Sequence, residues 1–414
     1  MRTKRVAAML AVMATAMVGV ASGASALSTT DRPASILVWP KVVVDSSGVF
    51  TGGPAVDTQI TISNTNTTGL KQAYCFWVNA TSHCAEAPTQ ACRTATDCDG
   101  GALGACVPGW NEIDFQIYLT QDQPLGFYAG QGLSRGEFPL EGPFRCNAPL
   151  SYLECYGAND PRCGSIGCNV GQSNLGSGIP PVPEDPFIGS LTCIQYTGDN
   201  PTSPDQSSTR DKLMGEAAIV SLGSPVDVAK YNAVGLSANG VPADDNVFGL
   251  GAGQEYAACP STLILSHIFD GATDPIAVSP AQTYGTELTL VPCSNDFNTQ
   301  VPGRATAQFL VFNEFEQRFS TSRTVDGLFD GAISTIDTRN PARSIFSAGV
   351  AGTIAGQTRI RGVGGNTING EVTNGGLLGV ARAVVSNTPS GTASAAYNLH
   401  QQGNPSGVDL IVVP

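Results

Sequence analysis

Cysteine is the residue type that most constrains the fold of this chain. All twelve cysteines follow a hydrophobic amino-terminal segment, and ten of them lie between Cys75 and Cys193. A segment of this kind exports a chain to an oxidising compartment, in which disulfides form and persist. Every cysteine is therefore a disulfide candidate: Cys75, Cys84, Cys92, Cys98, Cys106, Cys146, Cys155, Cys163, Cys168, Cys193, Cys259 and Cys293.

Residues 1–26 have the composition of a secretory signal peptide. Arg2, Lys4 and Arg5 provide a basic start, residues 6–21 an apolar run, and Ala24-Ser25-Ala26 a small-residue cleavage site. An uncleaved anchor is the alternative, but the run is short for a membrane span, and no later stretch approaches the roughly twenty apolar residues that a span requires. We predict a secreted protein, extracellular or periplasmic or attached to the cell surface, with no transmembrane segment in the mature chain.

The chain is acidic, which limits its partners. It carries 34 acidic against 21 basic residues, a formal net charge of −13 at pH 7. Proteins bind nucleic acid largely through Lys and Arg that displace counterions from phosphates. We therefore expect no nucleic-acid partner. The expected partner is an unknown extracellular protein or a glycan.

Short alternating segments predict antiparallel β-structure. Residues 59–63, 115–119 and 287–290 alternate polar and apolar side chains, as strands do when one face is buried and the other solvated. The length exceeds what one hydrophobic core usually organises. We predict an all-β protein with two tandem immunoglobulin-like sandwich domains, residues 33–240 and 255–414.

An internal repeat supports two copies of one module. Residues 213–220 resemble residues 377–384, and each copy is followed by a Tyr-Asn pair. Upstream, residues 187–193 resemble residues 354–360, and we aligned Asp57–Asn64 with Thr306–Asn313 as strands that both end in Asn. Chance similarity between short apolar strands is the alternative.

The first copy carries two long Cys-rich insertions, about residues 84–108 and 141–186. Neither has the apolar residues to form a core, so disulfides are expected to supply the rigidity. Twelve cysteines allow too many pairings for connectivity to be deduced. We expect Cys259 to pair with Cys293, and residues 146–168 to pair their four cysteines among themselves. Zinc binding is the rival use of such clusters.

No motif for catalysis is convincing. Residues 132–136 have the Gly-x-Ser-x-Gly spacing of a hydrolase nucleophile elbow, but Pro139 follows too soon for the helix that such an elbow requires. The three histidines, His83, His267 and His400, lie in no pattern that nominates a triad. We predict no catalytic residues, and we expect a non-enzymatic protein rather than an enzyme.

Several acidic loops are candidates for binding calcium. We predict no cofactor, with calcium as the ion that oxygen-rich loops could hold, because Ca²⁺ prefers several oxygen ligands. Solvated carboxylates or Asx turns are the alternative. The calcium candidates are Asp97, Asp99, Asp244, Asp245 and Asp296.

Three segments resemble a known class of protein. Residues 35–44, 73–80 and 114–120 are similar in style to strands of uncharacterised exported bacterial proteins with immunoglobulin-like sandwich modules and small Cys-rich insertions. The resemblance implies fold and compartment and carries over no catalytic residue. The chain lacks the Cys, Trp, Cys spacing of antibody domains.

Two functions remain as hypotheses. The first is a secreted or cell-surface structural or adhesion-type protein of unknown ligand, in which rigid, disulfide-tied insertions form the binding face. The alternative is a carbohydrate-binding or carbohydrate-active extracellular protein, which needs aromatic platforms. Core packing is the competing interpretation of the aromatic candidates, which are Trp77, Trp110, Tyr118, Phe127 and Tyr128.

Overall fold

A computed structural model describes residues 28–133, 179–198, 202–223, 226–242, 245–273, 282–388, 391–403 and 407–414. These residues are nearly all β-structure, arranged in several antiparallel sheets. The only α-helix among them, α1, is four residues long, Ala348–Ala351. No helix in these ranges has the length and apolar character needed to cross a membrane.

The strands range from two to twelve residues in length. Those of the first half are β1 (Ile36–Val44), β2 (Val56–Asn64), β3 (Lys71–Asn79), β4 (His83–Cys84), β5 (Ala87–Ala91), β6 (Cys106–Val107), β7 (Asn111–Leu119), β8 (Pro124–Tyr128), β9 (Phe187–Tyr196), β10 (Leu213–Ser221), β11 (Asp227–Asn232), β12 (Val234–Leu236) and β13 (Val247–Leu250). Those of the second half are β14 (Thr262–Ile268), β15 (Ala272–Thr273), β16 (Thr283–Pro292), β17 (Asn295–Asp296), β18 (Arg304–Asn313), β19 (Arg318–Asp326), β20 (Phe329–Ala332), β21 (Ala355–Val363), β22 (Thr367–Ile368), β23 (Glu371–Val372), β24 (Leu377–Thr388), β25 (Gly391–Asn398), β26 (His400–Gln402) and β27 (Asp409–Val412).

The first half forms a pair of packed sheets. Sheet A has the strand order β12-β1-β9-β3-β7 and sheet B the order β11-β10-β2-β8. The core between them is filled by alternate residues of both sheets, with Trp39 and Trp77 of sheet A packed among Ile60 and Ile62 of sheet B. Strand β2 alternates buried and half-buried residues along its whole length, so the alternation in the sequence marks a real one-sided strand.

The second half repeats this strand order. Sheet C is β26-β14-β21-β18-β19, and sheet D is β25-β24-β16 with β20 and β15 both pairing with β16. Counting strands along the chain, sheet C corresponds to sheet A and β25-β24-β16-β20 corresponds to sheet B, position by position. A separate core lies between sheets C and D, with Leu290, Phe309 and Ile360 among its members.

The registers of the two sheet pairs agree as well. Gly189 lies opposite Asn79 in the first pair, and Gly356 lies opposite Asn313 in the second. In sheets B and D, the residue two after the repeated glycine is Ala217 or Ala381, and each lies opposite the tyrosine of the Tyr-Asn pair. The glycines and tyrosines of the sequence repeat therefore occupy matching positions in the sheets.

One element of the sequence alignment is corrected. The sequence aligns Asp57–Asn64 with Thr306–Asn313, but β18 lies between β19 and β21, as β3 lies between β7 and β9. The partner of β18 is thus β3, and the partner of β2 is β16. The error arose because three strands, β2, β3 and β18, all end in an Asn whose side chain accepts a hydrogen bond from a nearby backbone N–H, a turn that any strand can carry.

A third layer covers the outer face of sheet A. It is sheet E, β13-β27-β17, in which β17 and β27 run parallel. Phe76 of sheet A stacks on Phe297, with ring centroids 4.2 Å apart. Residues 247–250, which fall between the two predicted domains, therefore belong to a layer built from both halves of the chain.

Two disulfides brace this part of the fold. Cys75 and Cys193 lie directly opposite each other on β3 and β9, so this bond is within sheet A and not between two sheets as in antibody domains. Cys259 is joined to Cys293, the pairing expected from the sequence, beside sheet E.

The two sheet pairs contact each other through polar groups. The edge strands β11 and β25 are joined by the backbone N–H of Asn232, which donates to Asn398 Oδ1 at 3.0 Å, and by Asn398 Nδ2, which donates to the Asn232 carbonyl at 2.6 Å. Beside them, Lys41 of β1 forms an ion pair with Asp330 of β20 and lies 3.5 Å from a carboxylate oxygen of Glu287. Lys41 is buried, so the contact is internal to the molecule.

Candidate ligand-binding face

The outer face of sheet C is open, and we call it the open face. The strand registers place alternate side chains of five strands on it. Its residues are Thr262, Ile264, Ser266, Thr306, Gln308, Leu310, Phe312, Arg318, Ser320, Ser322, Thr324, Gln357, Arg359, Arg361, His400 and Gln402.

The open face differs in chemistry from its counterpart on sheet A. Tyr74 lies opposite Ile194 in sheet A, and the matching pair in sheet C is Gln308 opposite Arg361. On β12 and β26, the apolar residues Val234 and Leu236 correspond to His400 and Gln402. In the first half, the apolar part of this face, on β1, β3 and β12, packs under sheet E, whereas the matching face in the second half is mostly polar and exposed.

Arginine gives this face a local positive charge. Arg359 and Arg361 are exposed on β21, and Arg318 is exposed on the edge strand β19. Among the described residues, none of the three forms an ion pair. The one acid at an outer position of these strands, Asp326, is paired with Arg304 at 2.7 Å. An acidic chain thus has a basic patch on one sheet.

The open face includes a cleft of about 710 Å³. Gln308 and Leu310 form its floor, Arg359 and Arg361 lie on one side, and Ser320 to Ser322 on the other. Pockets that hold small ligands usually have volumes of about 300 to 1,000 Å³. The cleft has donors and acceptors on its walls and is large enough for a few sugar units or a comparable ligand.

The aromatic candidates from the sequence do not form a binding platform. Trp77 is 0 % exposed and its Nε1 donates to the carbonyl of Pro180 at 3.0 Å, while Phe127 and Tyr118 are also buried. Trp77 and Phe127 pack inside the first sheet pair, whereas Tyr118 is buried on the other side of sheet A, and a buried ring has no free face for a sugar. Trp77 and Phe127 lie near the insertions in the sequence, but their strand positions turn their side chains toward the core. Sugar binding by these three residues stays a prediction.

The two remaining aromatic candidates lie apart. Trp110 is half-buried and stacks on Phe297 beside the third layer, with ring centroids 6.4 Å apart. Tyr128, on the edge strand β8 of sheet B, is 40 % exposed. Only Tyr128 of the five presents much of its ring to solvent.

The first calcium candidate is a turn within the insertion. Asp97 Oδ2 accepts hydrogen bonds from the backbone N–H groups of Arg93 at 2.7 Å and Thr94 at 2.8 Å, and these bonds lower the pKa of Asp97. Asp99 is exposed two residues later, with a left-handed φ of 53°. The Asp97 carboxylate closes a capping box with Thr94 at the start of a short 3-10 turn, so it stabilises its own loop.

Asp296 and Asp245, two further calcium candidates, accept hydrogen bonds from neighbouring residues. Asp296 accepts from the backbone N–H of Thr299 at 2.8 Å and from the Thr299 hydroxyl at 2.6 Å, and Asp245 accepts from the backbone N–H of Val247 at 2.8 Å. Asp244 lies outside the described residues. These contacts explain the acids as turn residues, and calcium binding stays a prediction.

The first Cys-rich insertion is held by two disulfides, Cys84–Cys98 and Cys92–Cys106. The sulfurs of Cys84, Cys92 and Cys98 lie within 4.8 Å of one another, as a zinc site would require, but all three are bonded to sulfur and are not thiolates. The second insertion lies almost entirely outside the described residues, and so do Cys146, Cys155, Cys163 and Cys168.

The three histidines lie in three different environments. His83 Nε2 is 2.8 Å from Glu184 Oε2, and His400 is exposed on the open face. His267 is buried in β14, and burial lowers its pKa to about 4. The Thr358 hydroxyl, 2.9 Å from its Nε2, gives it a structural partner.

Sequence reasoning missed two buried ion pairs. Besides Lys41 and Asp330, Lys71 Nζ lies 2.8 Å from Asp205 Oδ2, and both side chains are inaccessible to solvent. A lysine inside an apolar strand was the available signal, since such a charge needs a partner.

The open face was missed for a different reason. In β21 the exposed residues Gln357, Arg359 and Arg361 alternate with buried or half-buried residues, whereas the matching strand β9 is buried on both sides. That contrast becomes visible only when the two copies are aligned strand by strand.

Comparison with known proteins adds no assignment. No family model matches this chain, and no curated protein matches it in sequence. The function is therefore inferred from the geometry of the open face.

Proposed function

We propose that this protein is an exported, non-enzymatic binding protein of adhesion type, and that the open face of sheet C is its ligand surface. In this proposal residues 1–26 are the signal peptide, and the two sheet pairs are duplicated immunoglobulin-like modules of a cell-surface or secreted protein. The observation that carries it is the contrast between matching faces, of which one has an apolar part covered by sheet E and the other is mostly polar, basic and exposed.

A rigid scaffold supports this interpretation. The open face belongs to a five-stranded sheet whose other side packs into a closed core, so its side chains are held in fixed relative positions. Little conformational entropy is lost when a ligand binds to a preformed surface. The disulfide-tied insertion is a secondary candidate for the binding face.

The buried acid Asp409 has a structural role. Burial raises the pKa of Asp409, and its carboxylate accepts hydrogen bonds from Ser294, Gly375 and Gly376. A perturbed acid of this kind becomes a catalytic candidate when it faces a cleft. Asp409 instead joins sheet E to the strand connections beneath it.

Carbohydrate binding is the second candidate, and a specific observation favours it. The cleft is lined by hydroxyl, amide and guanidinium groups such as those of Ser322, Gln308 and Arg359. These groups bind sugar hydroxyls well, whereas protein partners are usually bound by buried aromatic and apolar anchors.

The proposal is tested by binding to a panel of immobilised polysaccharides and extracellular matrix proteins. Gln308→Trp places a bulky side chain on the floor of the cleft and is expected to abolish binding. Gln90→Trp changes an exposed residue of the insertion and serves as the matched control. Loss of binding with Gln90→Trp alone would move the ligand surface to the insertion, and absence of binding by the unmodified protein to the whole panel would overturn the proposal.

A further inference from the structure

We infer that the open face binds a carboxylated polysaccharide, with Arg359 and Arg361 as the residues that recognise its carboxylates. This inference rests on the proposed binding function of that face and adds the chemical class of the ligand. Nothing in the chain's sequence motifs points to it. It follows from the charges and the strand register of sheet C.

The two arginines are arranged to bind successive anionic groups. They are two residues apart on one strand, so their side chains leave the same face about 7 Å apart along the strand. A guanidinium binds a carboxylate through two parallel hydrogen bonds, which are shorter and stronger than neutral ones. Since neither arginine has an acidic partner among the described residues, an external carboxylate does not have to displace one.

The surrounding groups fit sugar hydroxyls. Gln308 lies between Arg361 and Ser322 across the strands, and Leu310 lies between Arg359 and Ser320. Each arginine is thus separated from a serine hydroxyl by one side chain. Amides and hydroxyls both donate and accept, so they can bind hydroxyl groups of either polarity around a charged carboxylate.

Two other classes of partner fit less well. A protein interface usually centres on desolvated aromatic or apolar anchors, but the apolar residues on either side of Arg359, Ile264 and Leu310, are only half-buried between polar neighbours. A nucleic acid requires an extended basic surface, and a chain with a formal net charge of −13 opposes it beyond this patch. A carboxylated polymer needs only a few well-placed cations.

Affinity electrophoresis of the purified mature protein through gels containing polygalacturonate tests the inference. The wild-type protein is expected to be retarded, and its retardation should fall as salt screens the charges. The variant Arg359→Gln/Arg361→Gln is expected to bind at least about tenfold more weakly, since it loses two charge-assisted contacts.

The matched control removes the same charge elsewhere. Arg339 and Arg343 are exposed beyond β20, outside the open face, so Arg339→Gln/Arg343→Gln should be retarded like the wild type. Equal weakening by both double variants would show a general charge effect and overturn the inference. Circular dichroism of each variant shows whether it is folded.

Two further probes separate this inference from the proposed function. A carboxyl-reduced polysaccharide should not retard the protein, and poly-glutamate should retard it less than polygalacturonate. The carboxyl-reduced polysaccharide could instead bind as well as polygalacturonate, with binding lost in Gln308→Trp but not in Arg359→Gln/Arg361→Gln. That result would confirm the open face as the ligand surface and reject carboxylate recognition. Equal binding to poly-glutamate would reject the polysaccharide, and no binding to any polymer would reject the inference while the protein panel still tests the proposed function.

Discussion

At the scale of single residues, the fold changes the ionisation of a half-buried acid, Glu112. Glu112 and Asp114 lie two residues apart on β7 and so on the same side of sheet A. Burial, with a smaller contribution from Asp114, raises the pKa of Glu112 to about 7. Glu112 is therefore largely protonated in the folded protein at pH 6, where it is ionised in the unfolded chain.

This shift predicts a pH dependence of stability. The folded protein binds the proton of Glu112 more tightly than the unfolded chain does. The stability that this proton contributes is fully present below the unfolded pKa of Glu112 and is lost as the pH rises through about 7. Glu112→Gln removes the titration, and we expect it to be more stable than the wild type at pH 8.5 by about 1 to 2 kcal/mol, allowing for partial solvent exposure. Urea unfolding at pH 5 and pH 8.5 measures the difference. A gain of equal size at both pH values would show that the charge is not responsible.

A repeated glycine gives a second prediction at this scale. Gly215 lies on β10, and a Cβ built there would be 2.1 Å from Cζ2 of Trp39, which is fully buried. Gly215→Ala forces the two sheets of the first pair apart, and we expect it to cost about 1 to 3 kcal/mol of unfolding free energy. In Gly53→Ala the new Cβ would meet no atom within 4 Å, so this control should differ little from the wild type. Equal stability of both variants in urea would mean that the sheets are not tightly packed at this glycine.

At the scale of elements, the first insertion has a small core of its own, separate from the cores of the sheet pairs. Its small core contains Cys84, Cys92 and Cys98 and few other apolar residues. Each disulfide closes a loop with a sequence separation of 14, which in the chain-entropy model stabilises the folded loop by about 3 kcal/mol. The insertion should therefore lose its order when a bond is removed, while the sheets keep theirs.

Hydrogen exchange tests this independence. In Cys84→Ala/Cys98→Ala we expect amide protection to fall in residues 83–107 and to stay unchanged in β1, β3 and β9. In Cys259→Ala/Cys293→Ala, by comparison, we expect the loss to reach sheet E, because that bond lies in the core beneath it. Loss of protection throughout sheet A in the first variant would show that the insertion and the sheet fold as one unit.

How far the sequence predicts these elements depends on the environment of each strand. Segments with one solvated face, such as residues 59–63 in β2 and 287–290 in β16, were identified by their alternation. Strands β1 and β3 carry nearly continuous apolar runs, which is typical of strands buried on both faces, but a run alone does not say what covers it. The third layer was therefore not predicted, and the basic character of the open face depends on strands that are distant in the sequence.

At the scale of the whole molecule, the two sheet pairs are held together by a third layer built from both halves and by a polar interface. Strand β13 comes from the segment before sheets C and D, while β17 and β27 come from the second half. The interface adds the bonds between Asn232 and Asn398 and the ion pair between Lys41 and Asp330. We therefore expect the described sheets to unfold together, with coincident transitions in near- and far-ultraviolet circular dichroism.

The ion pair between Lys41 and Asp330 is the part of this interface whose loss is most easily measured. Asp330 also accepts a hydrogen bond from the Thr289 hydroxyl at 2.5 Å, and the Lys41 charge keeps the pKa of Asp330 low against the effect of burial. Lys41→Met leaves a buried carboxylate without its cation, and we expect a cost of about 3 to 5 kcal/mol. Because a well-packed apolar pair can replace a buried ion pair, Lys41→Met/Asp330→Leu should recover most of this loss.

Lys230 forms an exposed pair with Glu216, so Lys230→Met should cost less than about 1 kcal/mol. Guanidinium unfolding of the three variants gives these values. If the double variant were as unstable as Lys41→Met, the cost would come from lost packing of the lysine stem and not from a stranded charge, and the two sheet pairs would be joined mainly by their apolar contacts.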